Sequence, residues 1–236
     1  MKYINDGFKA AYYSQIGNNH VANGDSNQDR IICEKVADDR WYMALADGVS
    51  SASNSGEGAA FAVEAVRFMT KQLDESMEWD IEKYKVDFVH FWKNKIHTDW
   101  NNFATTLNFI IYVHGRVLIG QIGDGLIYCK IDSKEEIFTD DGDFYSTETN
   151  ALATQVRRSA FTMVERKCTQ SLSLYMTSDG IGKEIAEDSR RRLGEYLDQL
   201  LLSDKDIIEK ELKSWVSGLE EKNGDDKSIG FIKWEE

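Results

Sequence analysis

The chain of 236 residues contains no proline, where average usage near 5% would supply on the order of twelve. Turns must therefore come from Gly, Asn, Asp and Ser, and no proline-rich linker separates two domains. Cysteine is scarce. Cys33, Cys129 and Cys168 are odd in number and lack CxxC spacing, which indicates neither a disulfide framework nor a zinc site. Cys33 and Cys129 fall in apolar runs and read as small buried hydrophobes. No apolar run reaches 18 residues and the N-terminus has no signal-peptide core, so the chain is expected to be cytoplasmic, with no membrane partner. Basic residues are outnumbered, 28 Lys and Arg against 41 Asp and Glu, for a formal net charge of −13. Nucleic acid and anionic membranes both require a basic footprint, so neither is an expected partner. Repeats and low-complexity tracts are missing too. What remains, 42% hydrophobic and 29% charged, is one globular domain over residues 1–236 with a sizeable core.

What is present is a repeated phrase. Trp41 to Gly48 is an apolar run ending in Asp47-Gly48; Val117 to Gly125 ends in Gly123-Asp124-Gly125; Leu172 to Gly180 ends in Ser178-Asp179-Gly180. Near the C-terminus the order reverses, and Gly224-Asp225-Asp226 leads into the apolar run Ile229 to Trp234. Such runs bounded by Gly and Asp read as buried strands. Carboxylates would then sit at strand ends, where a sheet holds them rigidly. Gathered together they repel one another unless a cation neutralises them, and hard divalent ions prefer oxygen ligands. Two such ions about 3.5–4 Å apart can activate water for attack on phosphorus. Each Asp-Gly taken singly is equally a turn former.

Between these phrases, Phe8 to Ser14 reads as a first strand and Gly17 to Asn27 as a polar loop; Asp29 to Lys35 and Trp41 to Ala46 form a hairpin. Ser55 to about Leu73 is an amphipathic helix with Ala59, Ala62, Val63, Val66 and Met69 or Thr70 on its apolar face. Asp80 to about Trp100 is a second, aromatic-rich helix. Phe103 to Val113 and Arg116 to Ile122 form a hairpin, which Leu126 to Ile131 and Glu135 to Thr139 continue. Residues 140–170 carry the weakest pattern. Asp140-Asp141-Gly142-Asp143 does not complete an EF-hand loop, and Arg157, Arg158 and Arg166 are either solvated or available to an anion. Ser171 to Thr177 is a strand, Lys183 to Leu202 a helix, and a last helix carries the stripe Ile207, Ile208, Leu212, Trp215, Val216 and Leu219.

Asn27-Gln28-Asp29, Ala46-Asp47-Gly48-Val49-Ser50-Ser51, Thr105-Thr106-Leu107, Gly123-Asp124-Gly125, Thr177-Ser178-Asp179-Gly180 and Asp225-Asp226-Lys227-Ser228 follow one another in order. This series resembles the metal-dependent protein phosphatases of type 2C in their bacterial form, from about residue 8 to residue 234. The resemblance implies an α+β fold, a four-layer α/β/β/α sandwich of two antiparallel sheets between helix pairs. It implies two ions, Mg²⁺ or Mn²⁺: Asp47 bridges both, Gly48 adds its carbonyl, Asp179 and Asp225 complete the first site. Asp124 becomes a ligand of a possible third ion, or else remains a hairpin residue. Asp29 is the aspartate that orients the attacking water, and Thr149 to Gln155 match a short form of the flap beside the site.

Three positions depart from the family pattern. Gln28 stands where a glutamate usually helps hold the second ion, Gly24 where an arginine often grips the phosphate, and Val49 where some members carry a histidine acid. His20 in the polar loop is a candidate for proton donation or a substrate contact, histidine titrating near neutrality. The implied activity is hydrolysis of phosphoserine or phosphothreonine in a protein substrate, with a cognate kinase or its targets as partners. The alternative is a pseudophosphatase, the same fold used as a regulatory or binding module; a phosphatase of small metabolites would share the chemistry.

Overall fold

The structure is a computed structural model that describes residues 2–5, 8–139, 150–156, 158–219 and 223–236. Asp140 to Asp143, Thr149 and Arg157, singled out above, lie outside the described residues. Among the described residues, eleven strands form two antiparallel sheets. One has six strands in the order β1 (Lys2–Asn5), β2 (Phe8–Gln15), β11 (Lys227–Glu235), β10 (Ser171–Thr177), β7 (Leu126–Ile131) and β8 (Lys134–Thr139). The other has five, β3 (Arg30–Ala37), β4 (Arg40–Ala46), β5 (Leu107–Val113), β6 (Arg116–Ile122) and β9 (Thr162–Lys167). The helices are α1 (Asn18–Asn23), α2 (Ser55–Gln72), α3 (Ile81–Asn94), α4 (Asp179–Gly182), α5 (Arg190–Leu200) and α6 (Lys205–Gly218).

Strand alternation divides the apolar residues among three cores. In β4, Trp41, Met43 and Leu45 face the other sheet and pack with Phe8, Ile127, Leu174 and Ile232. Their neighbours Tyr42, Ala44 and Ala46 face outward, onto Ala59, Ala62 and Val66 of α2 and Phe88 and Trp92 of α3. Tyr175, Phe231 and Ile229 cover the opposite outer face together with Leu197, Ile208, Leu212 and Val216 of α5 and α6. Three cores between four layers is the α/β/β/α sandwich that period-two burial on both faces of each sheet requires.

Several elements depart from expectation. Leu126 to Thr139 does not continue the sheet of β5 and β6: the chain crosses at Gly123-Asp124-Gly125 and joins the other sheet beside β10. The helix expected over Asp80 to Trp100 stops at Asn94, and Trp100–Phe103 is a 3-10 turn begun by Asp99, whose carboxylate accepts the Asn101 N–H at 3.0 Å. The span expected as one helix over Lys183 to Leu202 follows the short α4 and holds a 3-10 turn at Glu187–Ser189 and then α5. Ile207 is exposed rather than part of the α6 stripe. The loop after β2 contains α1, and β1 and β9 lay in stretches without a clear pattern. Among the described residues no helix is long and apolar enough to cross a membrane.

Candidate metal centre

Antiparallel pairing brings particular strand ends together. Arg30 pairs with Ala46, Leu107 with Ile122, Thr177 with both Leu126 and Ile229, and Lys227 with Gln15. Asp29, Asp47, Asp124, Asp179 and Asp225 flank these ends and so share one edge of the sandwich. The two sheets are tied there by polar groups: Asn108 Nδ2 donates to the Thr177 carbonyl at 3.3 Å, and Gln121 Nε2 donates to Asn108 Oδ1 at 3.0 Å and to the Gly125 carbonyl at 2.7 Å. Those bonds fix the crossover that carries Asp124. Gly123 there has φ +101°, which a side chain would rarely adopt, and a Cβ on Gly125 would lie 2.0 Å from Asn108 Nδ2.

The result is a cavity of about 300 Å³ lined by Asp47, Gly48, Val49, Ser50, Ser51, Thr106, Asp124, Asp179 and Asp225. The backbone around Asp47 is fully engaged: its N–H donates to Thr106 Oγ1 at 3.2 Å, and its carbonyl accepts from the Thr106 N–H at 2.8 Å and the Thr105 hydroxyl at 2.9 Å. Gly48 is pressed against the start of α2, where a Cβ would stand 2.7 Å from Ser55 Cβ. The Asp225-Asp226 segment is wedged in the same way. A Cβ on Gly17 would reach 2.3 Å from the Asp225 carbonyl carbon, and one on Gly180 would reach 2.1 Å from the Asp226 carbonyl oxygen.

Three carboxyls of the centre resist ionisation. Burial raises Asp47 well above the usual carboxylate range, and the charges of Asp29 and Asp179 raise it further. Asp29 is lifted to about 7, first by burial and then by the charges of Asp226 and Asp179, although the Ser228 and Ser178 hydroxyls pull the other way. Asp225 is raised by burial and by Asp179. Asp29 Oδ1 and Oδ2 and Asp179 Oδ1 are buried with no hydrogen-bond partner of good geometry. Clustered carboxylates with oxygens that lack a well-formed hydrogen bond are what a hard divalent cation satisfies. The donor set fits Mg²⁺ or Mn²⁺.

The remaining candidates are placed as follows. Asp29 is buried beside the cavity, 3% exposed. Asp124 and Asp179 both meet Lys183, whose Nζ lies 3.0 Å from Asp124 Oδ2 and 2.5 Å from Asp179 Oδ2. Gln28 Oε1 accepts from the Ser55 hydroxyl at 2.7 Å and so anchors the first turn of α2. His20 is buried in α1 and does not line the cavity; its Nδ1 lies 2.9 Å from Asp226 Oδ2, off the line of a good hydrogen bond. Arg166 forks onto Glu136 at 2.7 and 2.6 Å, which makes it a surface ion pair rather than an anion contact. Sequence reasoning missed Asp226. Its Oδ1 accepts the Gly17 N–H at 2.7 Å and its Oδ2 the Gln28 N–H at 2.6 Å, with His20 beside it. The only signal was a second carboxylate beside Asp225, and nothing in the sequence says which of the two turns inward. A separate group, Asp39, Glu75 and His114, lies at the opposite turns of the sheet and is mostly exposed.

A family model described as Protein phosphatase 2C matches residues 16–217. No curated protein matches the chain in sequence. Among solved structures, RsbX in complex with magnesium superposes with a TM-score of 0.63 at 14% identity, covering 98% of each chain. The S. agalactiae serine/threonine phosphatase gives 0.63 at 16%, covering 97% of this chain and 100% of that one. The catalytic domain of the serine threonine protein phosphatase PstP, in complex with 2 manganese ions, gives 0.62 at 17%, covering 97% and 99%. At these identities the superpositions establish a shared fold.

Proposed function

This chain belongs to the protein phosphatase 2C family, and from that premise we propose that it hydrolyses phosphoserine and phosphothreonine in proteins with two divalent ions, Mg²⁺ or Mn²⁺. The observation that carries the reading is the convergence of Asp47, Asp179 and Asp225 on one cavity, with Asp29 beside it and carboxylate oxygens left without a hydrogen bond of good geometry. In this reading Asp47 would serve both ions, Gly48 would add its carbonyl, and Asp179 and Asp225 would complete the first site. When bound, such ions lower the pKa of a shared water and offset charge on the phosphoryl oxygens. The chain's own part is to hold the ligands rigid through the Thr105 and Thr106 bonds and to keep Asp29 where it can orient water. Ser50 and Ser51 offer donors to phosphoryl oxygens at the cavity wall. The substrate is a phosphorylated protein, with a cognate kinase or its targets as partners.

The test is hydrolysis of p-nitrophenyl phosphate and of a phosphothreonine peptide, with Mn²⁺, with Mg²⁺ and with excess EDTA. Turnover that needs metal and disappears in Asp47→Asn is expected. Val49 in the cavity lining, together with Gln28 and Gly24, each in place of a side chain that many active members use, favours a second reading, a pseudophosphatase that serves as a regulatory or binding module. Metal binding without turnover would select that reading. Metal-independent turnover that survives in Asp47→Asn would overturn the metal-dependent phosphatase.

A further inference from the structure

We propose that Lys183 is a built-in cation of this centre: its ammonium bridges Asp124 and Asp179 where a third divalent ion would otherwise bind, so the chain takes up two ions and not three. The inference rests on the binuclear reading above. Asp124 arrives from the sheet crossover after β6 and Asp179 from the end of β10, and Lys183 Nζ meets both, at 3.0 Å and 2.5 Å. The lysine is held close by its own backbone, its N–H donating to the Asp179 carbonyl at 3.1 Å as α4 closes. The two oxygens of Asp179 are thereby divided between tasks. Oδ2 is committed to the ammonium, whereas Oδ1 is buried with no hydrogen bond of good geometry and faces the first ion's ligands.

A divalent ion at Asp124 and Asp179 would need their oxygens at about 2.0–2.1 Å in near-octahedral order, and the ammonium already occupies the space between them. To enter, the ion must break two charge-assisted contacts and displace a group of like charge. The ammonium is moreover tethered, so its local concentration is high whatever the metal supply. Asp124 thus keeps a cation partner without depending on a weak, exchangeable site.

The experiment counts bound Mn²⁺ by calorimetry, and free Mn²⁺ by electron paramagnetic resonance, on the full chain. The proteins are the unaltered chain, Lys183→Met and Lys183→Met/Asp124→Asn. The lysine side chain is 60% exposed, so the substitution disturbs little packing, and Lys183→Gln repeats the count should the Met variant aggregate. Two ions are expected on the unaltered chain, three on Lys183→Met and two again on the double variant. In EDTA, Lys183→Met should melt lower than the unaltered chain and Asp124→Asn should restore part of that loss, because the single substitution leaves two carboxylates without their cation. Three ions on the unaltered chain, or two on both it and Lys183→Met, overturn the lysine's role and leave the binuclear reading standing. No Mn²⁺ on the unaltered chain overturns both.

Discussion

Asp29 shows what the centre costs in the absence of metal. A carboxyl raised to about 7 in the folded state ionises near 3.8 once unfolded, so the folded state resists ionisation. The penalty is small near pH 4, grows as pH rises, and is complete above pH 7; at about 1.4 kcal/mol per unit it approaches about 4 kcal/mol. The metal-free protein should therefore lose stability between pH 4 and 8. Asp29→Asn should raise the EDTA melting temperature at pH 8 and change it little at pH 4.5, and excess Mn²⁺ should abolish the gain. An EDTA melting temperature that is flat with pH in the unaltered chain would contradict this. His20 behaves oppositely. Burial alone would lower its pKa, but Asp226, backed by Asp225 and Asp25, raises it above the usual 6.5. That pair stabilises fully below pH 6.5 and less as pH climbs through the raised value. Asp226→Asn should cost about 1–3 kcal/mol in denaturant melts, since Gly17 and Gln28 also lose a charged acceptor, and more at pH 5.5 than at pH 9. A cost that is equal at both pH values would show that His20 takes no charge-dependent part.

Among the elements, the junction between β4 and α2 matters most to the site. Asp47 ends the strand, Ser55 begins the helix, and the intervening turn must bring Gly48 against Ser55 with no room for a side chain. Gly48→Ala should push the turn off the helix, lower Mn²⁺ affinity at least about tenfold and destabilise by about 1–3 kcal/mol, as overpacking does. Unchanged Mn²⁺ affinity by calorimetry would mean that the Gly48 carbonyl holds no ion. This junction was legible beforehand, because eighteen helical residues with small apolar side chains at three- and four-residue spacing leave little choice. Lys183 to Leu202 was not. Its residues have adequate helix propensity, but Ala186 takes a non-helical backbone (φ −57°, ψ 140°) and a 3-10 turn at Glu187–Ser189 intervenes before Arg190 to Leu200. In α1, Asn18 to Asn23 has no apolar periodicity; Gly17, bonded to Asp226, and Asn19, whose N–H donates to the Gly224 carbonyl at 2.9 Å, tie it to the C-terminal strand.

For the whole molecule, the strand hairpins and amphipathic helices allowed a layered fold, and the four layers came from the family resemblance alone. Sheet membership was beyond that signal: β7 follows β6 after three residues yet pairs with β10, because Asn108 and Gln121 draw the crossover between the sheets. The same limit applied to the site, since Asp-Gly marks a turn without saying which turns converge. The charge, in contrast, is a property of the entire surface. At −13, the protein of the proposed function would repel an anionic phosphopeptide over most of its surface. Flanking residues on the substrate should therefore matter through long-range attraction rather than through dedicated contacts. At 20 mM salt a phosphothreonine peptide flanked by Lys and Arg should show kcat/KM about tenfold above one flanked by Asp and Glu. The gap should close by 0.5 M, where the screening length falls to a few ångströms. A preference that persists unchanged at high salt would point instead to a specific acidic subsite at the cavity rim, and one that favours acidic flanks would mean that the surface field does not govern encounter.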